Sequence, residues 1–263
     1  MLVYSEADAH SLPVHLADEA ICVGPASSRE SYMNIPAIIS AALISGAQAI
    51  HPGYGFLSES ADFSEVCREH GLVFIGPPPE VLARFHDKAA TRAAMKQIGL
   101  PVVPGSDGPV RTLSEALRVA EVIGYPVMLK ARAGGGGRGM RKSESAKDLQ
   151  RMWDQARAEA KASFGDEGIY LERNLEGVRH VEAQVLVDGH GNAVCLGERE
   201  CSIQRRHQKM IEEAPSASIG LELRGRIAEM AVDAAVRFGY RHVGTFEFLV
   251  DAPGEPYFIE VNA

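Results

Sequence analysis

Apolar runs and helical stretches alternate over the N-terminal third of the chain. Residues 20–24 and 72–76 are continuous apolar runs that end in glycine, which is typical of buried parallel strands. Residues 35–43 carry apolar side chains at helical spacing, with Asn34 as the predicted cap and Pro36 in the first turn. The pattern predicts an α/β layer, in which helices surround a parallel sheet and the prolines at 77–79 mark its end.

Farther along the chain, the spacing of apolar residues predicts longer helices separated by strands. The predicted helices cover residues 80–100, 114–123, 143–164 and 221–238. Gly239 is expected to end the last of them. Residues 125–130 and 169–172 are predicted strands, and strands and hairpins dominate from His180 onward. The chain therefore divides into an N-terminal α/β unit and a second part that is rich in hairpins.

Composition and charge exclude several classes of function. The chain has 263 residues, 46% of them hydrophobic and 24% charged, and a net charge of −8. An acidic protein is a poor match for the phosphate backbone of nucleic acids. No apolar run approaches the roughly 20 residues that span a bilayer, so no membrane partner is expected. The four cysteines contain no C-x-x-C pair, which predicts a reduced, cytoplasmic protein.

A glycine loop is the first feature that indicates a ligand. Residues 134–139 formally satisfy G-x-G-x-x-G, but the polar stretch after them is too short to open a helix, which excludes the dinucleotide-binding motif. Met140-Arg141 stands where a Walker A motif requires Lys-Ser/Thr. A strand–loop–strand hairpin remains. Its backbone N–H groups are suited to close over a polyphosphate, and Lys130 lies just before it. The alternative is a flexible hairpin without a ligand.

Two glutamates are predicted to face each other in a C-terminal hairpin. If Asp251 pairs with Pro256 around the turn, Glu247 faces Glu260, and Asn262 lies two residues along on the same face. Like charges so placed repel each other. A divalent cation between them, Mg²⁺ or Mn²⁺, removes the conflict. The alternative is an exposed edge hairpin with two solvated glutamates.

A basic segment stands out in this acidic chain. Residues 201–209 carry four basic groups, and an extended backbone puts Arg205, His207 and Lys209 on one face. Such a face suits phosphates or a small oxyanion. The glutamates at 212–213 are equally able to neutralise it without a ligand, so the residues alone leave both interpretations open.

Several motifs, in order along almost the whole chain, resemble those of the biotin carboxylase family. They are residues 34–39 (Asn-Ile-Pro-Ala-Ile-Ile), 51–59 (His-Pro-Gly-Tyr-Gly-Phe-Leu-Ser-Glu), 130–140, 179–182 (Arg-His-Val-Glu), 202–209 and 258–262 (Phe-Ile-Glu-Val-Asn). The family has the ATP-grasp fold, in which a small lid domain closes ATP against a larger sheet. The resemblance implies an incomplete Rossmann-like domain over 1–82, a helical linker over 83–101, an ATP-grasp lid over 102–174 and a C-terminal ATP-grasp subdomain over 175–263.

The resemblance also implies roles for individual residues. Lys209 would bind bicarbonate, and the remaining catalytic residues are expected beyond Ala263. The metal ions would be held by Glu247, Glu260 and Asn262, in agreement with the face of the hairpin. ATP would be contacted by residues of the lid, the hinge and the larger sheet: Lys88, Lys130, Gly136, Gly137, Glu172, Arg173, Asn174, Leu175, His180, Gln204, His207, Glu247 and Glu260.

The reaction that the resemblance implies uses ATP, Mg²⁺ or Mn²⁺, and bicarbonate. Attack of bicarbonate on the γ-phosphate gives carboxyphosphate, and carbon dioxide released from it carboxylates N1 of biotin on a carrier lysine. Electrostatic clamping by lysine and Mg²⁺ would supply most of the acceleration of the phosphoryl step. The implied partners are a biotin carboxyl carrier domain, a carboxyltransferase and, for the full-length protein, a second copy of itself.

The chain departs from the family pattern at several points. His86 stands where glycine usually precedes Asp-Lys, and Arg132-Ala133 replaces smaller residues at the start of the glycine loop. The family's first strand, and its Arg-x-Gln-Val-Glu-His segment with the general base, are expected outside this stretch of sequence. An incomplete biotin carboxylase that binds MgATP but is inactive in full turnover is therefore expected. The alternatives are another ATP-grasp ligase, similar to carbamoyl-phosphate synthase, and a non-catalytic module.

Overall fold

The computed structural model describes residues 1–86, 88–132, 139–205 and 208–262, with the backbone alone for residues 86, 88 and 89. It divides the chain into two compact units, residues 1–83 with 240–243 and residues 84–239 with 244–262. Among the described helices, none combines the length and apolarity that a membrane span requires. Helices and strands are both abundant, as the α/β prediction requires.

The first unit contains two pairs of short parallel strands with helices around them. Strand β1 (Leu2–Ser5) pairs with β2 (Ala20–Gly24), and β3 (Ala49–Ile50) pairs with β4 (Val73–Phe74). The helices are α1 (Leu12–Leu16), α2 (Ile35–Ile44) and α3 (Ala61–Glu69). The predicted cap of α2 is confirmed, because the Asn34 side chain accepts a hydrogen bond from the backbone N–H of Ala37.

Helices α4 (Pro79–His86) and α5 (Lys88–Gln97) cover the region predicted as helical between residues 80 and 100. The second unit then forms an antiparallel sheet of three strands, which we call the lid sheet. Its strands lie in the order β6 (Met140–Ser143), β5 (Val127–Ala131) and β7 (Ile169–Arg173). Helices α6 (Leu113–Ile123) and α7 (Ala146–Phe164) pack on it through a common apolar core.

The start of α7 differs from the prediction. Residue 143 was expected to begin the helix, but Ser143 ends β6 and lies opposite Val127 in the lid sheet. The helix begins at Ala146 because the Ser145 side chain accepts a hydrogen bond from the backbone N–H of Asp148 and so caps it.

A five-stranded sheet, which we call the large sheet, completes the second unit. Its strands lie in the order β10 (Gln208–Glu213), β9 (Ala193–Arg205), β8 (Arg179–Val187), β11 (His242–Val250) and β12 (Pro256–Asn262). Helix α8 (Leu221–Phe238) packs on β8 and β9 through its buried apolar face. It ends as predicted at Gly239, whose φ of 67° is the left-handed conformation that favours glycine.

The register of the last hairpin confirms one predicted pair and corrects another. Glu247 lies opposite Glu260, as predicted. The predicted pairing of Asp251 with Pro256 is wrong, because Val250 takes the position opposite Pro256. An irregularity in the register between Glu247 and Phe248 adds one residue to β12 and brings the two glutamates opposite each other again.

Candidate functional site

An open cleft of about 250 Å³ lies between the lid sheet and the large sheet of the second unit. Its lining includes many of the residues predicted to contact ATP: Lys130, Glu172, Arg173, Asn174, Leu175, His180 and Gln204. The other lining residues were not predicted and are mostly apolar: Val103, Met128, Met140, Val178, Ser202 and Leu249. Apolar walls with a few converging polar groups are typical of a site for a small organic ligand.

The alternation of side chains in the lid sheet explains which residues reach the cleft. Lys130 lies opposite Met140, and Met128 lies opposite Glu172, so these side chains share one face of the sheet. Leu129, on the opposite face, is fully buried beneath the helices. The period of β5 therefore directs the basic group toward the ligand side and the aliphatic residues into the core.

Glu172 is a buried carboxylate with two basic neighbours among the described residues. Its Oε2 accepts a hydrogen bond from the Lys130 ammonium group, and its Oε1 lies 3.6 Å from Nε of Arg92. The side chain of Glu172 is only 8% exposed. A buried carboxylate requires such pairing, because an uncompensated charge away from water is strongly unfavourable.

His180 connects the cleft with the acidic residues of the large sheet. Its Nδ1 lies 2.7 Å from the side-chain nitrogen of Gln204, and its Nε2 lies 2.5 Å from Oε2 of Glu247. An amide nitrogen can only donate, so Nδ1 accepts, and Nε2 carries the proton that it donates to Glu247. Ser202 fixes the same strand by accepting the backbone N–H of His180 at 3.0 Å.

Among the described residues, three side chains donate hydrogen bonds to Glu247, although it is only 2% exposed. Besides His180, the donors are Nζ of Lys209 at 2.8 Å and Nδ2 of Asn262 at 2.5 Å. Burial opposes the charged form, but the hydrogen bonds from His180 and Lys209 outweigh it and lower the pKa of Glu247 to about 2. The carboxylate is therefore ionised throughout the physiological range.

Lys209 is held between two buried carboxylates. It donates to Glu247 and also to Glu182. Burial favours the neutral amine, but the hydrogen bonds to Glu182 and Glu247 outweigh it and raise the pKa of Lys209 above its ordinary value. The residue predicted to bind bicarbonate thus keeps its positive charge at neutral pH.

Glu182 is a site residue that the sequence analysis did not single out. Its carboxylate accepts Nε of Arg199 at 2.5 Å as well as the ammonium group of Lys209, and it is 2% exposed. One ligand atom from each of His180, Glu182 and Glu247 lies within 4.8 Å of the others. Its position two residues after His180 on the same strand was the signal that could have identified it.

The predicted metal ligands share the end of the β11–β12 hairpin. Glu247 and Glu260 occupy opposite positions, and the Asn262 side chain contacts Glu247. Carboxylate and amide oxygens are the donors that Mg²⁺ and Mn²⁺ prefer, so this set of residues fits a hard divalent cation.

Some predicted site residues lie outside the described part of the chain. These are Gly136, Gly137, His207 and the side chain of Lys88. The same holds for the side chain of His86 and for Ala133, two of the departures from the family pattern.

The catalytic residues expected beyond Ala263 have no counterpart in the described site. Ala263 itself lies outside the described residues, which end at Asn262. Among the predicted catalytic groups, the structure therefore places Lys209 alone, and the position of the others stays a prediction from the family resemblance.

Two family descriptions together match almost the whole chain. "Biotin carboxylase, N-terminal domain" matches residues 1–82, and "Carbamoyl-phosphate synthase L chain, ATP binding domain" matches residues 87–263. Among curated relatives, the chloroplastic biotin carboxylase of Arabidopsis thaliana is 53% identical over 260 residues, which are 99% of this chain and 48% of the relative. Biotin carboxylase of Haemophilus influenzae is 54% identical over 261 residues, 99% of this chain and 58% of the relative. The chain spans about half the length of these relatives.

Solved structures give the same result for the fold. A biotin carboxylase from Campylobacter jejuni, in a complex described as β,γ-ATP, has a TM-score of 0.94 at 50% identity and covers 99% of this chain and 59% of its own. The biotin carboxylase domain dimer of Hydrogenobacter thermophilus 2-oxoglutarate carboxylase, with MgADP, ADP and bicarbonate, has a TM-score of 0.91 at 45% identity. This match covers 99% of the present chain and 58% of the chain in that structure. The predicted α/β ATP-grasp fold is confirmed.

Proposed function

The chain belongs to the biotin carboxylase family, and on this premise we propose that it forms the ATP-, metal- and bicarbonate-binding part of a biotin carboxylase. The observation that carries the proposal is the cleft in which Lys130, Glu172 and His180 converge beside the opposed pair Glu247 and Glu260. The neighbour from Hydrogenobacter thermophilus, which is described with MgADP and bicarbonate, supports this choice of ligands.

The nucleotide is assigned to the cleft. Its apolar walls, among them Met128, Met140 and Leu249, suit a planar base, and residues 172–175, the predicted hinge, border the same cleft. Lys130 is then positioned for the phosphates, as a point charge at the end of the lid strand. Contacts by Lys88, Gly136, Gly137 and His207 stay predictions from the family resemblance.

The charges beside the cleft suit transfer of a phosphoryl group from ATP to bicarbonate. A bicarbonate oxygen attacks the γ-phosphorus, the bond to the β-phosphate oxygen breaks, and ADP leaves as carboxyphosphate forms. Lys209, which stays protonated, attracts the bicarbonate anion and orients it. Mg²⁺ or Mn²⁺, held by Glu247, Glu260 and Asn262, would supply charge neutralisation at the phosphates when bound.

Carboxylation of carrier-bound biotin is proposed for the full-length protein. The chain spans 48% of the Arabidopsis relative and 58% of the Haemophilus relative, and the general base and its arginine are assigned to the remaining length. A biotin carboxyl carrier, a carboxyltransferase and a second copy are the proposed partners, the last in line with the dimer described for a neighbour. A cytoplasmic location stays a prediction, since one relative is described as chloroplastic.

A second candidate function is a ligase similar to carbamoyl-phosphate synthase. The description of the family that matches residues 87–263 favours it. Against it stand the match of residues 1–82 to the biotin carboxylase N-terminal domain and the identity of more than half to biotin carboxylases. ADP release that depends on an amine and ignores biotin would support this second function.

Calorimetric titration with MgATP tests the proposed site. The unmodified chain is expected to bind, and Lys130→Ala is expected to weaken binding by about tenfold or more, because a charge-assisted contact to phosphate is lost. Glu247→Gln should weaken the Mg²⁺-dependent part of the affinity. Lys161→Ala, an exposed position on α7, is the control and should bind normally. Equal affinity in all variants would refute the proposal.

A further inference from the structure

Arg92 is a buried arginine that lies behind the cleft. Its side chain is 10% exposed and comes from α5. Nη1 donates to the backbone carbonyl of Ser106 at 3.0 Å, and Nη2 donates to the carbonyl of Val103. Among the described atoms, Nε has no hydrogen-bond partner, although it lies 3.6 Å from Oε1 of Glu172. A buried, incompletely paired guanidinium is unfavourable for stability, so a compensating role in the site is expected.

Glu172 is approached by positive charge from two sides. Lys130 holds Oε2 from the cleft, whereas Arg92 faces Oε1 from the interior and does not line the cleft. Among the described residues, this carboxylate therefore has two cations beside it, and of these two Lys130 lines the cleft whereas Arg92 does not.

We propose that Arg92 is a positioning residue that allows Lys130 to engage the nucleotide. When the Lys130 side chain moves so that its ammonium group contacts a phosphate instead of Glu172, Arg92 remains as the counter-ion of Glu172. Without Arg92, this move would leave a buried carboxylate with no cation among the described residues, which opposes binding. The inference rests on the proposed function, because it requires a phosphate-bearing ligand in the cleft.

Arg92 also supports the backbone beside the cleft, and this gives a competing explanation. The extended segment that it holds runs along β7, where Ser106 donates its N–H to Leu171 at 2.8 Å and Arg173 donates to Pro104 at 2.7 Å. If this support were the whole role of Arg92, its loss would weaken every ligand of the cleft equally. If its charge matters, only ligands that draw Lys130 away from Glu172 are affected.

Binding of MgADP and of adenosine to two Arg92 variants separates these explanations. Arg92→Gln keeps hydrogen-bond donors but loses the charge, and Arg92→Lys keeps the charge but loses the forked geometry. We expect Arg92→Gln to weaken MgADP binding by about tenfold and to leave adenosine binding within about twofold, because adenosine has no phosphate. Arg92→Lys should resemble the unmodified chain. Lys96→Gln, in an exposed ion pair on the same helix, is the control and should change neither affinity.

Removing the charge of Glu172 as well completes the test. In the double variant Arg92→Gln/Glu172→Gln, the ratio of MgADP to adenosine affinity should return to that of the unmodified chain, because Lys130 no longer leaves an anion behind. The double variant also buries no unpaired carboxylate, so it keeps the test available if Arg92→Gln does not fold. An equal loss for both ligands in either Arg92 variant, or no loss in Arg92→Gln, would overturn the inference. Failure of the unmodified chain to bind MgADP would instead refute the proposed function.

Discussion

Buried carboxylates with basic partners dominate the site at the scale of single residues. Glu172, Glu182 and Glu247 are 6%, 2% and 2% exposed, and each contacts at least one lysine. Because a buried charge without a partner is strongly unfavourable, each carboxylate holds its lysine in a defined position. The basic groups assigned to phosphate and bicarbonate are therefore oriented by the protein itself.

The pH dependence of the free energy of unfolding below neutral pH tests the charge of Glu247. The folded protein lowers the pKa of this carboxyl from its ordinary value of 4.5 to about 2. Its ionised form therefore stabilises the fold above pH 4.5, and that contribution is lost as the pH falls toward 2. We expect the free energy of unfolding to drop across this window, and Glu247→Gln to reduce the drop by about 1–3 kcal/mol. Denaturant unfolding of both proteins from about pH 6 to about pH 2.5 measures it, and parallel curves would contradict the expectation.

At the scale of elements, the segment beside β7 comes unusually close to its neighbours. Gly105 pairs with Glu172 outside the named strands, and a Cβ atom at this position would lie 2.4 Å from the carbonyl oxygen of Leu171. Only glycine permits this approach without a shift of the backbone. The backbone segment beside β7 therefore has no room for a methyl group at position 105.

Substitutions at two glycines test this close approach. Gly105→Ala is expected to lower the free energy of unfolding by about 1–3 kcal/mol, because the new methyl group meets backbone rather than a movable side chain. Gly225→Ala is the matched control, since Gly225 lies within α8 and a Cβ there meets nothing within 4 Å. It should raise stability by up to about 1 kcal/mol through helix propensity. Urea unfolding of both variants measures these changes. A Gly105→Ala variant with an unchanged free energy of unfolding would contradict the close packing at this position.

Periodicity predicted the presence of most elements, but their ends and registers depended on partners. Residue 143 fits a helical pattern, yet the backbone of Ser143 belongs to β6 and pairs with Val127 of the neighbouring strand β5. The irregularity beside Glu247 likewise shifts the hairpin by one residue without any local signal. Boundaries of this kind are set by competition between local preference and neighbouring strands.

At the scale of the whole molecule, the likeness to biotin carboxylases covers 99% of this chain but about half of each relative. The cleft that we propose for the nucleotide lies within one compact unit, residues 84–239 with 244–262. The proposed nucleotide binding therefore concerns this chain alone, whereas the proposed transfer of the carboxyl group to biotin concerns the full-length protein.

Two measurements on this chain test whether it binds the nucleotide without carboxylating biotin. MgATP at a hundredfold excess over its Kd should stabilise the fold by about 2.7 kcal/mol, which a thermal melt detects as a higher Tm. Biotin should not stimulate ADP release, because the general base is assigned to the remaining length. The Glu247→Gln chain serves as the control for the thermal shift and should respond less. Robust biotin-dependent turnover by this chain would contradict the assignment.

The sequence by itself determined the α/β class and the hairpin around the glycine loop, because each depends on local periodicity or on a nearby turn. The opposition of Glu247 and Glu260 was predicted too, but it depends on the register irregularity in the hairpin and not on the turn from which it was predicted. Its motifs also identified the family. Only the tertiary structure decided which charges meet. Lys130 and Glu172 are 42 residues apart, and Lys209 and Glu247 are 38 apart. Such ion pairs form where separate strands pack together, and no local sequence pattern encodes that packing. They are favoured there because a buried charge without a partner is strongly unfavourable.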